Sequence, residues 1–230
     1  MVIIPPEHLK PIKYSTITLD SFLELTKQRR SYRIFKDKEV PKPLLIKIIE
    51  STKYLPTGCN LQELEYTVLT NTERIKSISK KMNSKFKLIK FLTNHFPVKI
   101  FFKLFKEPER ANRNIIGPER LTTAFKEGYD SYLREAPVVI IIHTGEKTEM
   151  MHLDAGIAGH HINLACETEG LGACWIGFHS ELSRFFPSIK KLSLIPRKHK
   201  ILATLVVGYP KLKYLRECPR NNTKYHFIEK

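Results

Sequence analysis

Arg29, Arg30 and Arg33 crowd around one hydroxyl, Ser31. In an extended segment alternate side chains project to the same side. Arg29, Ser31 and Arg33 would then present two guanidinium forks and a hydroxyl donor, a set suited to a phosphate monoester. A basic run at a helix end is also ordinary solvated surface, and taken alone the stretch fits either reading. A second chemistry-bearing stretch is Pro56-Thr57-Gly58-Cys59-Asn60-Leu61-Gln62. Amide side chains both donate and accept, so Asn60 and Gln62 can read the edge of a heterocycle with alternating C=O and N–H groups. They can equally belong to a turn in which Asn60 bonds its own backbone. The third stretch, LGACWIGF, carries Gly172 and Gly177 around Cys174, Trp175 and Ile176. Two glycines allow backbone N–H groups to approach a flat ring closely. Trp175, the single tryptophan, also suits core packing, and Cys174, with no base beside it in sequence, reads as an inert buried thiol. His160, His161 and His179 are potential proton sources, but histidines beside small residues read as packed groups, and no side chain is assigned as catalytic acid or base.

These stretches need elements to hold them. Thr18 or Asp20 can cap a helix SFLELTKQR, which places the arginines at its C-terminal end, where cations are favoured. A second helix, LLIKIIESTKYL, follows Pro41 and Pro43 and ends in the Pro56-Thr57-Gly58 loop. Glu65–Thr70 reads as a strand, and VVIIIHT after Pro137 as a strand buried on both faces. A long helix, His152–Glu169, leads through Gly170 and Gly172 to CWIGF, and ILATLVVGYP supplies a final strand. Residues 73–125 read as basic amphipathic helices split at Pro97 and ending near Pro108, with a polar connector at Asn112-Arg113-Asn114 and helix again through LTTAFKEGYDSYL. The order of elements predicts an α+β fold, a sheet flanked by helices rather than a regular βαβ series.

Composition narrows the classes. Over 230 residues, 39 Lys and Arg face 23 Asp and Glu, a formal charge of +16 that attracts phosphate, nucleic acid or anionic lipid. Four cysteines without a CxxC pair exclude a zinc ribbon or an iron–sulfur cluster bound by this chain and suit reduced thiols. The start MVIIPPEHLKP is a poor signal peptide, and FKLIKFLTNHFPVKIFFKLF carries too many lysines to span a membrane, so a cytoplasmic location is expected. A basic binding module using residues 73–125 on nucleic acid or an anionic membrane surface is the alternative of a different class.

Taken together and in order, RRSYRIF, PTGCNLQ, DAGIAGHHINLACETEGLGACWIGF and LVVGYP resemble the flavin-dependent nitroreductase family over about residues 20–230, with 73–125 least matched. The likeness is nearest to the branch often joined to a ferredoxin domain. The resemblance implies one domain, 1–230, with a central, mainly antiparallel sheet flanked by helices and a basic helical insertion or lid at about 73–125. It implies flavin mononucleotide (FMN) at a homodimer interface, with sites shared by both subunits. Arg29, Ser31 and Arg33 would hold the phosphate and Arg30 the ribityl side. Pro56, Thr57, Gly58, Asn60 and Gln62 would face the isoalloxazine, and Cys174, Trp175, Ile176 and Gly177 would line it. Arg216 or Arg220 would add a further phosphate contact. The implied activity is transfer of hydride or electrons from NAD(P)H or a ferredoxin-type donor to a nitroaromatic, quinone or related small-molecule acceptor. A flavin-carrying protein without turnover is a further alternative, and a weak contact of 73–125 with an anionic surface is compatible with either.

Overall fold

The computed structural model describes residues 12–95 and 119–229. Helix α1, Leu19–Gln28, starts where expected: the Thr18 hydroxyl accepts the Ser21 N–H at 3.2 Å. It buries none of its residues. Helix α2, Lys42–Glu50, opens with Pro43 in its first turn, buries Leu45 and Ile48, and continues as a 3-10 turn, Ser51–Tyr54.

Four strands, β1 (Glu65–Leu69), β2 (Val138–Thr144), β3 (Gly172–Trp175) and β4 (Lys200–Gly208), form one sheet in the order β1-β2-β4-β3. All its pairings are antiparallel. Every residue of β2 is buried, as an uninterrupted β-branched run between two helical layers must be. Val139 and Ile141 face a core shared with Leu69, Ile201 and Val206, whereas Val138, Ile140 and Ile142 face one shared with Ala203, Leu205 and Val207. The first core is covered by α3 (Thr72–His95), α6 (Gly177–Phe185) and α7 (Pro187–Leu192). The second is covered by α2 and α5 (Met151–Thr168). A short helix α4, 119–126, precedes turns that lead into β2. There the Asp130 carboxylate accepts the Ser79 hydroxyl at 2.7 Å and the Tyr132 N–H at 2.9 Å, tying those turns to α3.

The amphipathic helix expected at the start of the basic stretch is present, and the strand expected of CWIGF is shorter. The basic stretch begins as a core element: Ile75, Ile78, Met82 and Phe86, spaced three and four apart, are buried in α3, while Lys76, Lys80 and Lys87 stay exposed. The expected break at Pro97, the end near Pro108 and the connector at Asn112–Asn114 lie outside the described residues. The strand read from CWIGF stops at Trp175, and Gly177 begins α6 instead. The helix is only nine residues long and begins on Gly177 directly after a strand, which is why α6 and α7 were not anticipated.

Candidate functional site

The arginine segment is extended, as its alternation predicted. Ser31 forms a parallel bridge with Ala173, and the Tyr32 N–H donates to the Ala173 carbonyl at 3.1 Å, so RRSYR runs along the free edge of β3. Further on, Phe35 bridges Pro210, with the Lys36 N–H on the Tyr209 carbonyl at 2.8 Å. The parallel register sets Ser31 and Arg33 toward Cys174 and Trp175, and Arg29 and Arg30 toward the start of β3, with Arg30 against the chain after Gly208. The guanidinium of Arg30 stacks 4.4 Å from the Tyr214 ring centroid and reaches toward the Arg216 carbonyl at 3.5 Å. Arg33 Nη1 donates to the Ser31 carbonyl at 3.3 Å. Among the described residues, no ion pair neutralises Arg29, Arg30 or Arg33. Glu167 is the acid that feels Arg29; burial raises its carboxyl, opposed by the Tyr32 hydroxyl and by Arg29. Arg216 is thus tied to the cluster through its backbone, whereas the exposed Arg220 has no recorded contact with it.

Around the third stretch the roles divide. The Cys174 side chain is buried within the α3-side core, and burial pushes its thiol up, against the pull of Arg33 and Arg134. Only its backbone is available to line a ligand. Ile176 is buried as well, and its N–H already donates to the Thr204 carbonyl at 2.8 Å. Gly172 serves the fold rather than a ligand, since a Cβ there would overlap the Tyr32 ring. Gly177 differs: a Cβ there would meet nothing within 4 Å, and α6 starts at Gly177 without a side-chain cap. An open, N–H-bearing edge therefore lies beside Trp175, a residue 41% exposed whose ring rests on Gly159 of α5.

The amide loop docks elsewhere. The Gly58 N–H donates to Asp154 Oδ2 at 3.1 Å, and a Cβ at Gly58 would overlap Met150, so only glycine lets the loop close on the start of α5. Cys59, Asn60 and Gln62 all take positive φ, near 50°, a conformation costly for non-glycine residues and concentrated at functional loops. Gln62 Nε2 donates to Asn60 Oδ1 at 3.1 Å, and the Gln62 N–H to the Thr57 hydroxyl at 3.0 Å. The exposed amides are held together, but not against the arginines. Asp154 and Glu167, which mark the two ends, stand 13 residues apart on α5, about 20 Å along a helix. Within one chain the expected convergence of arginines and amides does not occur.

Sequence reasoning missed Arg134, which follows a turn without a recognisable motif. Its φ is 62°, it lies near Cys174 together with Arg33, and its Nε is buried without a hydrogen-bond partner. Only the folded turn after Asp130 brings this fourth guanidinium to the edge of β3.

Comparison with known proteins bears on the family and the fold. The sequence profile described as "Nitroreductase family" matches residues 26–209, from the end of α1 to the residue after β4. A protein of Methanothermobacter thermautotrophicus, provisionally named an NADH dehydrogenase/NAD(P)H nitroreductase, is 26% identical over 192 residues, spanning 82% of this chain and 76% of its own. The crystal structure of a nitroreductase with bound FMN from Bacteroides fragilis superposes with a TM-score of 0.67 at 20% identity, covering 90% of this chain and 98% of its own. That of a BluB-like flavoprotein from Clostridium difficile gives 0.64 at 16% identity, with 87% and 94% covered. The structural likenesses speak for the fold, whereas the profile, which takes in the arginine edge, the amide loop and the glycine at the start of α6, shows that the chain belongs to the nitroreductase family.

Proposed function

We propose that the chain is an FMN-dependent oxidoreductase that works as a homodimer, each site combining the arginine edge of one copy with the amide loop of the other. The observation that carries this reading is the set of Arg29, Arg30 and Arg33, in no ion pair among the described residues and running along β3 toward the open start of α6. The donor set fits the group: guanidinium forks and the Ser31 hydroxyl suit a phosphate dianion, and the unfilled edge at Gly177 suits a flat ring.

In this reading Arg29, Ser31 and Arg33 hold the phosphate, with Arg216 the better placed of the two C-terminal arginines. Arg30, stacked on Tyr214, stiffens that end of the site. The first N–H groups of α6 orient the ring edge, and Trp175 on Gly159 closes one wall against water. Bound there, FMN supplies hydride or single-electron transfer between a reduced donor and a conjugated acceptor such as a nitroaromatic or quinone. The name of the Methanothermobacter relative favours NAD(P)H as donor over a ferredoxin-type protein.

The spacing within one chain supports a second copy. One chain's amide loop and arginines lie at opposite ends of α5, and the surface around α1 exposes Leu19, Phe22 and Leu23 together with Ile12 and Ile17. Such an apolar face suits an isologous contact with another copy. A membrane-surface role through α3 draws less support, because Ile75, Ile78, Met82 and Phe86 are committed to the core and Leu88, Phe91 and Leu92 are what it leaves exposed. No helix among the described residues is long and apolar enough to cross a membrane.

The test is flavin retention. Charge-assisted hydrogen bonds contribute about 1.5–3 kcal/mol each, so Arg29→Ala and Arg33→Ala should each weaken FMN binding about 10- to 100-fold. Lys36→Ala, an exposed cation just beyond the cluster, should leave it unchanged. Equal flavin affinity in all three variants contradicts the phosphate clamp. A yellow protein that no conjugated acceptor reoxidises after reduction would make it a carrier rather than an enzyme.

A further inference from the structure

Far from the arginine edge, three segments bring Glu65, His143 and His199 together. His143 lies in β2, five residues from Val138, about 17 Å along a strand, at the opposite end of the sheet from the bridge to Ala173. His143 Nδ1 and His199 Nδ1 face each other at 3.0 Å, and Glu65 Oε1 lies 3.7 Å from His199 Nδ1. The three donor atoms all fall within 4.8 Å of one another. We propose that Glu65, His143 and His199 form a binding site for a borderline divalent metal ion of the zinc class, separate from the flavin site.

Three features support it. First, two imidazoles and a carboxylate are a common three-ligand set for zinc, leaving a fourth position for water, whereas magnesium and calcium prefer all-oxygen shells. Zinc at about 2.0–2.2 Å from each ligand sets neighbouring donors ~3.3 Å apart, close to the spacing of the two nitrogens. Glu65 is exposed and free to rotate inward. Second, His143 Nε2 is held 2.9 Å from the Thr67 hydroxyl, an outer partner of the kind that orients metal-bound histidines. When Nε2–H donates there, the Nδ1 lone pair faces His199 and Glu65. Third, the register of β2 with β4 shifts between Ile142 and His143, a bulge that re-aims the His143 side chain. The nearby Lys190 ammonium, which acts against a cation at His143, is turned to the Arg197 carbonyl. Two facing Nδ1 atoms hold at most one proton between them; the metal would take that proton's place and release it to solvent.

The ion would join the start of β1, the end of β2 and the loop before β4, segments remote in sequence. The experiment is equilibrium dialysis of the chelator-treated, flavin-loaded full chain against Zn²⁺ and, separately, Mg²⁺, with metal measured by elemental analysis. Expected is one tightly held zinc per chain and no comparable magnesium. Glu65→Gln, a change at an exposed position, and His199→Ala should each weaken that zinc at least ~10-fold, and Thr67→Val by ~10- to 100-fold. His160→Ala, on α5, should not change it. Unaltered zinc binding in Glu65→Gln and His199→Ala, no stoichiometric zinc in the wild type, or equal affinity for magnesium would each overturn the proposal.

Discussion

His179 offers a quantitative test of the packing behind the site. Its ring is fully buried, with Nδ1 2.8 Å from the Thr204 hydroxyl and Nε2 2.9 Å from the Ser193 hydroxyl. Burial drives its pKa from 6.5 down to about 4. Above pH 6.5 the imidazole is neutral in both folded and unfolded chains and contributes no pH dependence. As pH falls through 6.5 the unfolded chain takes up the proton first, and stability drops until the folded protein also protonates near pH 4. The gap corresponds to a loss of about 3 kcal/mol across that window. His143 and His161, both pushed down by burial, act in the same direction, while Glu167, raised by burial, acts oppositely. Comparison with His179→Gln isolates the one group. Urea unfolding at a series of pH values should give a wild-type curve that falls more steeply than the variant's between pH 6.5 and 4, by about 3 kcal/mol in total. The variant's lower stability at neutral pH does not affect this difference in slope. Parallel curves would refute a neutral, buried His179.

Two further predictions concern packing. Gly159→Ala places a Cβ inside the Trp175 ring, so the ring must move, with a cost of ~1–3 kcal/mol and a shift in the emission of this single tryptophan; unchanged emission and stability would disprove the stated contact. Met82→Ala should destabilise the protein by about 2–5 kcal/mol in urea unfolding, because Met82 is fully buried in α3, whereas a surface lid would lose almost nothing.

Much of this architecture was legible because its signals are local. Thr18 is a capping residue directly before an apolar period, VVIIIHT is an unbroken β-branched run, and the alternation of Arg29, Ser31 and Arg33 matched an extended edge. What stayed hidden depends on distant contacts. Lysines at Lys76, Lys80 and Lys87 made α3 look like a surface element, although its buried stripe needed only four residues. Gly172 and Gly177 look alike in sequence, but Tyr32 fills the space at one and nothing fills it at the other. Glu65, His143 and His199 lie 78 and 56 residues apart and carry no spacing motif; sheet register alone assembles them.

Co-expression of two defective copies tests the shared site most directly. One copy carries Arg29→Ala with Arg33→Ala, the other Asn60→Ala with Gln62→Ala, and each alone should purify nearly colourless. If arginines and amides come from different copies, every mixed dimer regains one intact site, and random pairing restores FMN to about a quarter of all sites. If both come from the same chain, every site keeps a defect, and the mixture stays as pale as its parents.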